Sequence, residues 1–506
     1  MFLVRSLPLL IFATGGFAAQ IDPTTLRSDV ESYVQAHQKR ILTELMETLS
    51  IPDVAADSQN IRRKAEKLRQ MLSARGLSAE LLETGGNPLV YGELSVPGAQ
   101  RTILLYFHYD GQPVDPTKWK QEDPFQPILR DGKLEDGGRE IDLLALDRFE
   151  RDWRIYARSA SDDTSPIVAV LAALDAIRSL GAQPSSNVRI VLDGEEEAGS
   201  PNLIPAIGTY RDKLLADLML IMDGPMHPSR RPTLVFGARG ILTLELTVYG
   251  PRVPLHSGHY GNWVPNPAMR LAQLLASMKD EKGWVVIDGF YNGIHLTEAD
   301  RQVLESVPDD HEALMKLFGF SEPDAVGDSL QEAIQYPSLN VRGLRSAWVG
   351  DEARTIVPDR AVAAIDIRLV AETKGKDLYE KTLAHIRGQG YHVVDEDPDD
   401  ATRARHSRIV KVTWSAEEAF RTPVTHPQAG PLIAALAGVW GEEPVVIRTM
   451  GGSVPISPFI QALGFPAIAV PVVNFDNNQH SPNENLRLGH FFDAVVTFAA
   501  LLTLER

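Results

Sequence analysis

Apolar residues recur along the chain with two different periods, and the switch between them outlines the fold. From about residue 24 to 84 the spacing is helical. Leu42, Leu45, Met46 and Leu49 repeat three or four apart, as do Ala65, Leu68 and Leu72, and Gly76 closes the second helix. Strand-like runs follow at 89–94 and 102–107, the latter leading into His108. Residues 113–151 lack a period and are scattered with Pro, Gly and Asp, as expected of a surface excursion. A strand is predicted at 153–157. A helix is predicted at 167–180, capped by Ser165 with Pro166 as its first residue. Val188, Ile190 and Leu192 then alternate with polar positions in a short buried strand. Residues 218–222 form another, ending at Asp223. Strand, helix, strand, helix, strand predicts an α/β fold, a sheet with helices on its faces.

The texture changes at Gly240. Residues 241–249 and 360–370 alternate cleanly, with helical stretches at 266–278 and 378–387, a strand at 391–395 and a long irregular region ending near 345. This reads as an inserted α+β unit over 240–415. Afterwards come a helix at 431–440, a buried strand at 467–473, a polar loop at 474–485 holding His480 and a helix at 488–504. The simplest reconstruction returns this last part to the first sheet. The expected domains are therefore 20–239 and 416–506 together, with 240–415 inserted.

Composition narrows the function. The chain has 506 residues, 44% hydrophobic and 23% charged, enough for two or three globular domains. A net charge of −17 argues against nucleic acid and anionic membranes as partners. The absence of cysteine excludes disulfides, thiolate metal sites and cysteine nucleophiles. The N-terminus, MFLVRSLPLLIFATGGFAA, reads as a secretory signal over residues 1–19 with Gly16-x-Ala18 as the cleavage site. Its apolar run is too short to span a bilayer. The expectation is export to a periplasm or outside the cell, with no membrane association once the signal is removed.

The chemistry gathers at strand ends. Asp193, Glu195, Glu196 and Glu197 crowd the end of the strand at 188–192. Two such charges about 4 Å apart repel by roughly 4 kcal/mol at an effective dielectric near 20. Alone, such a run is an ordinary solvated acidic turn. Likewise His108-Tyr109-Asp110 alone is a strand-end hydrogen bond, and Asp162-Asp163 a helix-start pair. Taken together, His108, Asp162, Glu197 and Asp223 all fall at the carboxyl ends of predicted strands, where open α/β sheets bind ligands. Nitrogen and oxygen donors without sulfur suit zinc, cobalt or manganese. With His480 they suffice for two ions sharing one carboxylate, a hydrolase device. A neighbouring glutamate would serve as proton carrier. Spacing alone leaves open which one.

The ordered motifs HYDGQPVD, SASDDTSP, DGEEEAGS, IMDGP and NFDNNQHSPNE resemble the di-zinc metallopeptidase family of carnosinases and nonspecific dipeptidases. That family also includes succinyl-diaminopimelate desuccinylase, aminoacylase and glutamate carboxypeptidases. The likeness runs from about residue 30 to the end and is nearest to the carnosinase-like dipeptidases. It implies a zinc-peptidase-type mixed sheet flanked by helices, with 240–415 as a lid and dimerisation domain. It implies that His108 and Asp223 hold one zinc, Glu197 and His480 the other, and that Asp162 bridges them. Glu196 would be the general base, Asp110 the acid orienting His108, and the peptide after Asp162 cis. FGARG and LHSGHYGNW resemble the family's lid, where His256 would reach across a homodimer to the substrate carbonyl. Thr355 and Arg368 would hold the substrate carboxylate, and Ser453 would touch the substrate. Three features depart from the family: Asp163-Thr164-Ser165 in place of Asp-Lys-Gly, Ala157-Arg158-Ser159 in place of Gly-Arg-Gly, and a longer stretch at 135–151. The function expected is hydrolysis of a peptide or amide bond beside a free carboxylate in a small peptide. Two rivals are a deacylase of N-acyl amino acids with the same mechanism and a metal-free binding protein on the same fold.

Overall fold

The computed structural model describes residues 23–504, so the proposed signal at 1–19 lies outside the described residues. Eight strands form the larger sheet, in the order Ser78–Leu82, Leu89–Leu94, Asn187–Asp193, Thr102–His108, Leu218–Ile221, Ala467–Ala469, Thr233–Val235, Val445–Ile447. The apolar run Thr102–His108 lies at its centre, buried on both faces, and pairs in parallel with Asn187–Asp193 and Leu218–Ile221. A strand buried on both sides needs helices over each face. Pro23–Leu49, Thr164–Ser179 and Leu488–Leu502 cover one face, and Leu203–Leu214 with Ser457–Leu463 the other. The parallel pairing brings the carboxyl ends of the central strands to one edge, and His108 sits level with Asp193 there.

A second sheet of five strands has the order Ser338–Arg345, Arg360–Leu369, Gly240–Tyr249, Ile409–Glu417, His392–Val394. Helices Pro267–Ala276 and Gly375–Gly388 bury one face of it, which accounts for the clean alternation along Gly240–Tyr249. No helix among the described residues is long and apolar enough to cross a membrane.

Three local expectations need correction. Ser78–Leu82, read as part of the helical region, is an edge strand antiparallel to Leu89–Leu94. Its Leu81 and Leu82 made it look helical beside the preceding apolar spacing. The region between 279 and 345 is not irregular: it holds helices Glu298–Glu305, His311–Phe318 and Leu330–Ala333 and the edge strand Ser338–Arg345. Short helices leave too few turns for a period to show. Ser165 is no cap, because the helix already begins at Thr164 and Ser165 lies buried within it.

Candidate active site

Each of the expected site residues on the larger sheet ends a strand or occupies a loop at the same edge. His108 ends the central strand, Glu196 and Glu197 follow Asn187–Asp193 in a single 3-10 turn, and Asp223 follows Leu218–Ile221. Gly194 makes that turn possible: a Cβ there would collide with the buried Tyr109 ring and hydroxyl. Asp162 precedes the helix at Thr164, and its peptide bond to Asp163 is cis. His480 sits in a loop coiled by three residues in the left-handed region, Asn478, His480 and Asn483.

Ligand atoms of His108, Asp162 and Asp223 lie within 4.8 Å of one another, and so do those of Asp162, Glu197 and His480. Asp162 belongs to both groups. His108 Nε2 is 2.9 Å from Asp162 Oδ1, and His480 Nε2 is 3.0 Å from Oδ2 and 3.3 Å from Glu197 Oε2. Asp162 Oδ2 is buried, with no neighbour in hydrogen-bonding geometry, as suits an oxygen aimed at a cation. The donor set, imidazole and carboxylate at this spacing, fits divalent ions of the zinc, cobalt and manganese type.

The structure separates the three glutamates. Glu195 turns away, accepting from Asn87 N–H at 3.1 Å and Asn202 Nδ2 at 2.7 Å. Glu197 joins the second cluster and accepts from Gln112 Nε2 at 2.7 Å. Glu196 is in neither cluster but lines the cleft beside them. Asp110 differs in detail from the expectation. The nearest partner of His108 Nδ1 is the main-chain oxygen of Asp110, at 3.0 Å, with the carboxylate at 3.5 Å. The Asp110 carboxylate instead accepts the N–H groups of Glu196 and Glu197, each at 3.1 Å. It therefore fixes the glutamate turn as well as the imidazole.

Glu484 was not singled out from the sequence. It is buried, pairs with Arg158 Nη1 at 2.6 Å, and accepts from Ser159 N at 3.0 Å, Ser161 N at 2.9 Å and Asp162 N at 3.1 Å. It clamps the loop that carries the shared aspartate. Its position four residues after His480, within the same motif, was the available signal.

Burial and mutual repulsion load this cluster. Burial, then Asp223, Glu197 and Asp162, push the Glu196 carboxyl well above its usual range. Burial and Asp162 hold Glu197 up at about 7 and Asp223 at about 6. Burial alone would lower the His108 imidazole, but Asp110, Asp162 and Glu196 keep it well above its ordinary value. These acids hold protons more tightly folded than unfolded. Between the ordinary carboxylate range and about pH 7 the folded chain binds more protons, so metal-free stability falls as the pH rises through that window. A cation displaces those protons. The rise in melting temperature on adding Zn²⁺ is therefore expected to be larger near pH 7.5 than near pH 5. A rise of equal size at both, in parallel thermal melts, would contradict this origin.

Beside the clusters lies a cleft of about 220 Å³, lined by Glu196, Val235, Phe420, Met450, Ser453 and Val454 among others. Arg368 Nη1 donates to Ser453 Oγ at 2.8 Å, so these two expected substrate contacts meet at the cleft. His256 and Thr355 are brought together elsewhere. His256 pairs with Ile356 in a two-stranded ribbon, Ser257 N–H donates to Thr355 O at 3.0 Å, and both residues are exposed. Neither lines this cleft.

Comparison with known proteins places this geometry. Human Beta-Ala-His dipeptidase is 24% identical over 97% of this chain and 95% of its own length. The Cys-Gly metallodipeptidase DUG1 of Saccharomyces cerevisiae is 25% identical over 93% and 96%. Among solved structures, the M20 family metallo-carboxypeptidase Sso-CP2 from Sulfolobus solfataricus superposes with a TM-score of 0.73 at 30% identity. The match covers 92% of this chain and 98% of that one. Dug1p superposes with a TM-score of 0.71 at 23% identity, over 95% and 98%. The sequence profile described as Peptidase family M20/M25/M40 matches residues 104–504, and the chain belongs to that family as a metal-dependent peptidase.

Proposed function

We propose that this peptidase is a homodimeric dipeptidase that binds two zinc ions, with cobalt or manganese as alternatives, and cuts the bond next to a free carboxylate. The observation that carries the reading is the pair of three-donor clusters sharing Asp162, with Glu196 free beside them. When bound, the ions would acidify water and polarise the scissile carbonyl. His108 and Asp223 would hold one ion, Glu197 and His480 the other, and Asp162 both. Glu196 takes a proton from water and delivers it to the departing nitrogen; its raised affinity for protons suits that carriage. The relatives named as dipeptidases make a deacylase of N-acyl amino acids the less favoured reading. Membership of a peptidase family and the two donor clusters weigh against a metal-free binding protein on the same fold. A panel of dipeptides and N-acetyl amino acids on zinc-loaded protein tests the choice. Faster turnover of the acetyl compounds would reverse it.

Arg368 and Ser453 would receive the substrate's terminal carboxylate, because a guanidinium pairs with it in bidentate fashion. Arg368→Ala is expected to raise KM for dipeptides roughly 10–100-fold with kcat little changed, the cost of a hydrogen bond to charge. Dipeptide amides should show no such rise. An equal loss on both would remove Arg368 from that role.

The dimer reading rests on two features. His256 and Thr355 stand exposed and outside their own cleft, as expected of residues that complete a partner's site. The edge strand Ser338–Arg345 and the loop after it expose Val341, Leu344, Trp348 and Val349, the last 86% open. Residues 240–415 would then act as lid and dimer arm. Export is proposed from the N-terminal run alone. A mature N-terminus at Ala19 or Gln20 would support it, and retained Met1 would end it.

A further inference from the structure

Lys64 lies within the helix Ser58–Ala74 at 0% exposure, among Ile61, Ala65 and Leu68. A buried ammonium is costly unless its partners are in place. Its Nζ donates to the Asp53 carboxylate, itself 1% exposed, and to Thr164 Oγ1 at 2.7 Å. Thr164 directly follows Asp162-Asp163 and opens the helix behind them. The main-chain oxygen of Asp53 accepts from Gly111 N–H at 3.0 Å, and Gly111 directly follows Asp110. Val54 pairs with Gly111 in an isolated parallel bridge. One ammonium thus ties the loop before this helix to both segments that carry the metal-binding edge, and the mechanism makes no use of it.

We propose that Lys64 is a positioning residue that locks the Asp110 and Asp162 segments in metal-binding register. It does so through Asp53 and Thr164, with an ammonium supplied from the N-terminal helix instead of from position 164. The inference rests on the metal-dependent peptidase reading. It also gives Thr164, in the Asp-Thr-Ser departure, a defined part: its hydroxyl accepts a hydrogen bond from that ammonium.

Lys64→Met is expected to weaken Zn²⁺ binding 10–100-fold, measured by competition with a chromophoric chelator, and to lower kcat comparably while KM stays within about threefold. Two double variants separate positioning from mere stability and serve even where the single variant fails to fold. Asp53→Leu with Lys64→Met removes both charges, so the melting temperature recovers but zinc affinity and kcat do not. Lys64→Ala with Thr164→Lys moves the ammonium to the other element and returns both to within about threefold of wild type. Wild-type zinc affinity and kcat in Lys64→Met, or their recovery in the charge-free pair, would overturn the proposal. So would failure of the relocated ammonium to restore them. Wild-type protein that takes up no zinc would instead overturn the two-ion reading beneath it.

Discussion

Glu196→Ala is expected to keep its bound metal and lose roughly 10²–10⁴-fold in kcat, the usual cost of removing a general acid–base group. The separation of effects follows from geometry. Glu196 supplies no atom to either cluster, so the ions keep all their donors. Its N–H is held by Asp110, and alanine retains that bond. What disappears is the carboxyl group facing the cleft. Stability should move the other way. Glu196 is crowded by burial and by Asp223, Glu197 and Asp162, so the metal-free variant should melt higher than wild type. Metal analysis, melting curves and turnover on one dipeptide decide the matter. Wild-type turnover in the variant would refute the role.

Asp162→Asn is expected to lose both zinc and activity, with kcat falling at least about 100-fold. Changes one shell further out already cost 10–100-fold, and this side chain is shared by both clusters. The amide keeps the volume, and the loop keeps its shape because Glu484 grips main-chain N–H groups rather than the Asp162 side chain. His108 and His480 lose the charge between them. The two variants therefore give opposite metal readings with similar kinetic ones: zinc retained at Glu196→Ala, zinc lost at Asp162→Asn. Full zinc stoichiometry in Asp162→Asn would break the shared-ligand argument.

The site was legible because its parts are local. A buried strand announces its end by the polar residue that stops it, and His108, Asp223 and the 193–197 run are such residues. Order and motif then joined them to Asp162 and His480. The parts that escaped depend on long-range pairing. Lys64 looks like any polar position on an amphipathic helix until Thr164, 100 residues away, is brought against it. Glu484 looks like a loop acid until Arg158 and the Ser159–Asp162 backbone close round it. The motif ties Asp110 to His108, but its grip on the Glu196 and Glu197 N–H groups, 86 and 87 residues further along the chain, depends on two distant strands coming side by side. Short elements failed for another reason. Leu330–Ala333 has four residues, about one turn, and a period shows only when a second turn repeats it.

The strand Ala467–Ala469 lies between Leu218–Ile221 and Thr233–Val235, in the interior of the larger sheet. A ribosome therefore releases nearly the whole protein before that slot is filled. Until then the nascent sheet exposes two unpaired apolar edges, and His480 has yet to emerge. Non-local closure of this kind is slow and open to aggregation. The cluster of Asp162, Glu197 and His480 cannot be completed before then, and chains cut short before residue 467 would be targets for chaperones and proteases rather than weak enzymes.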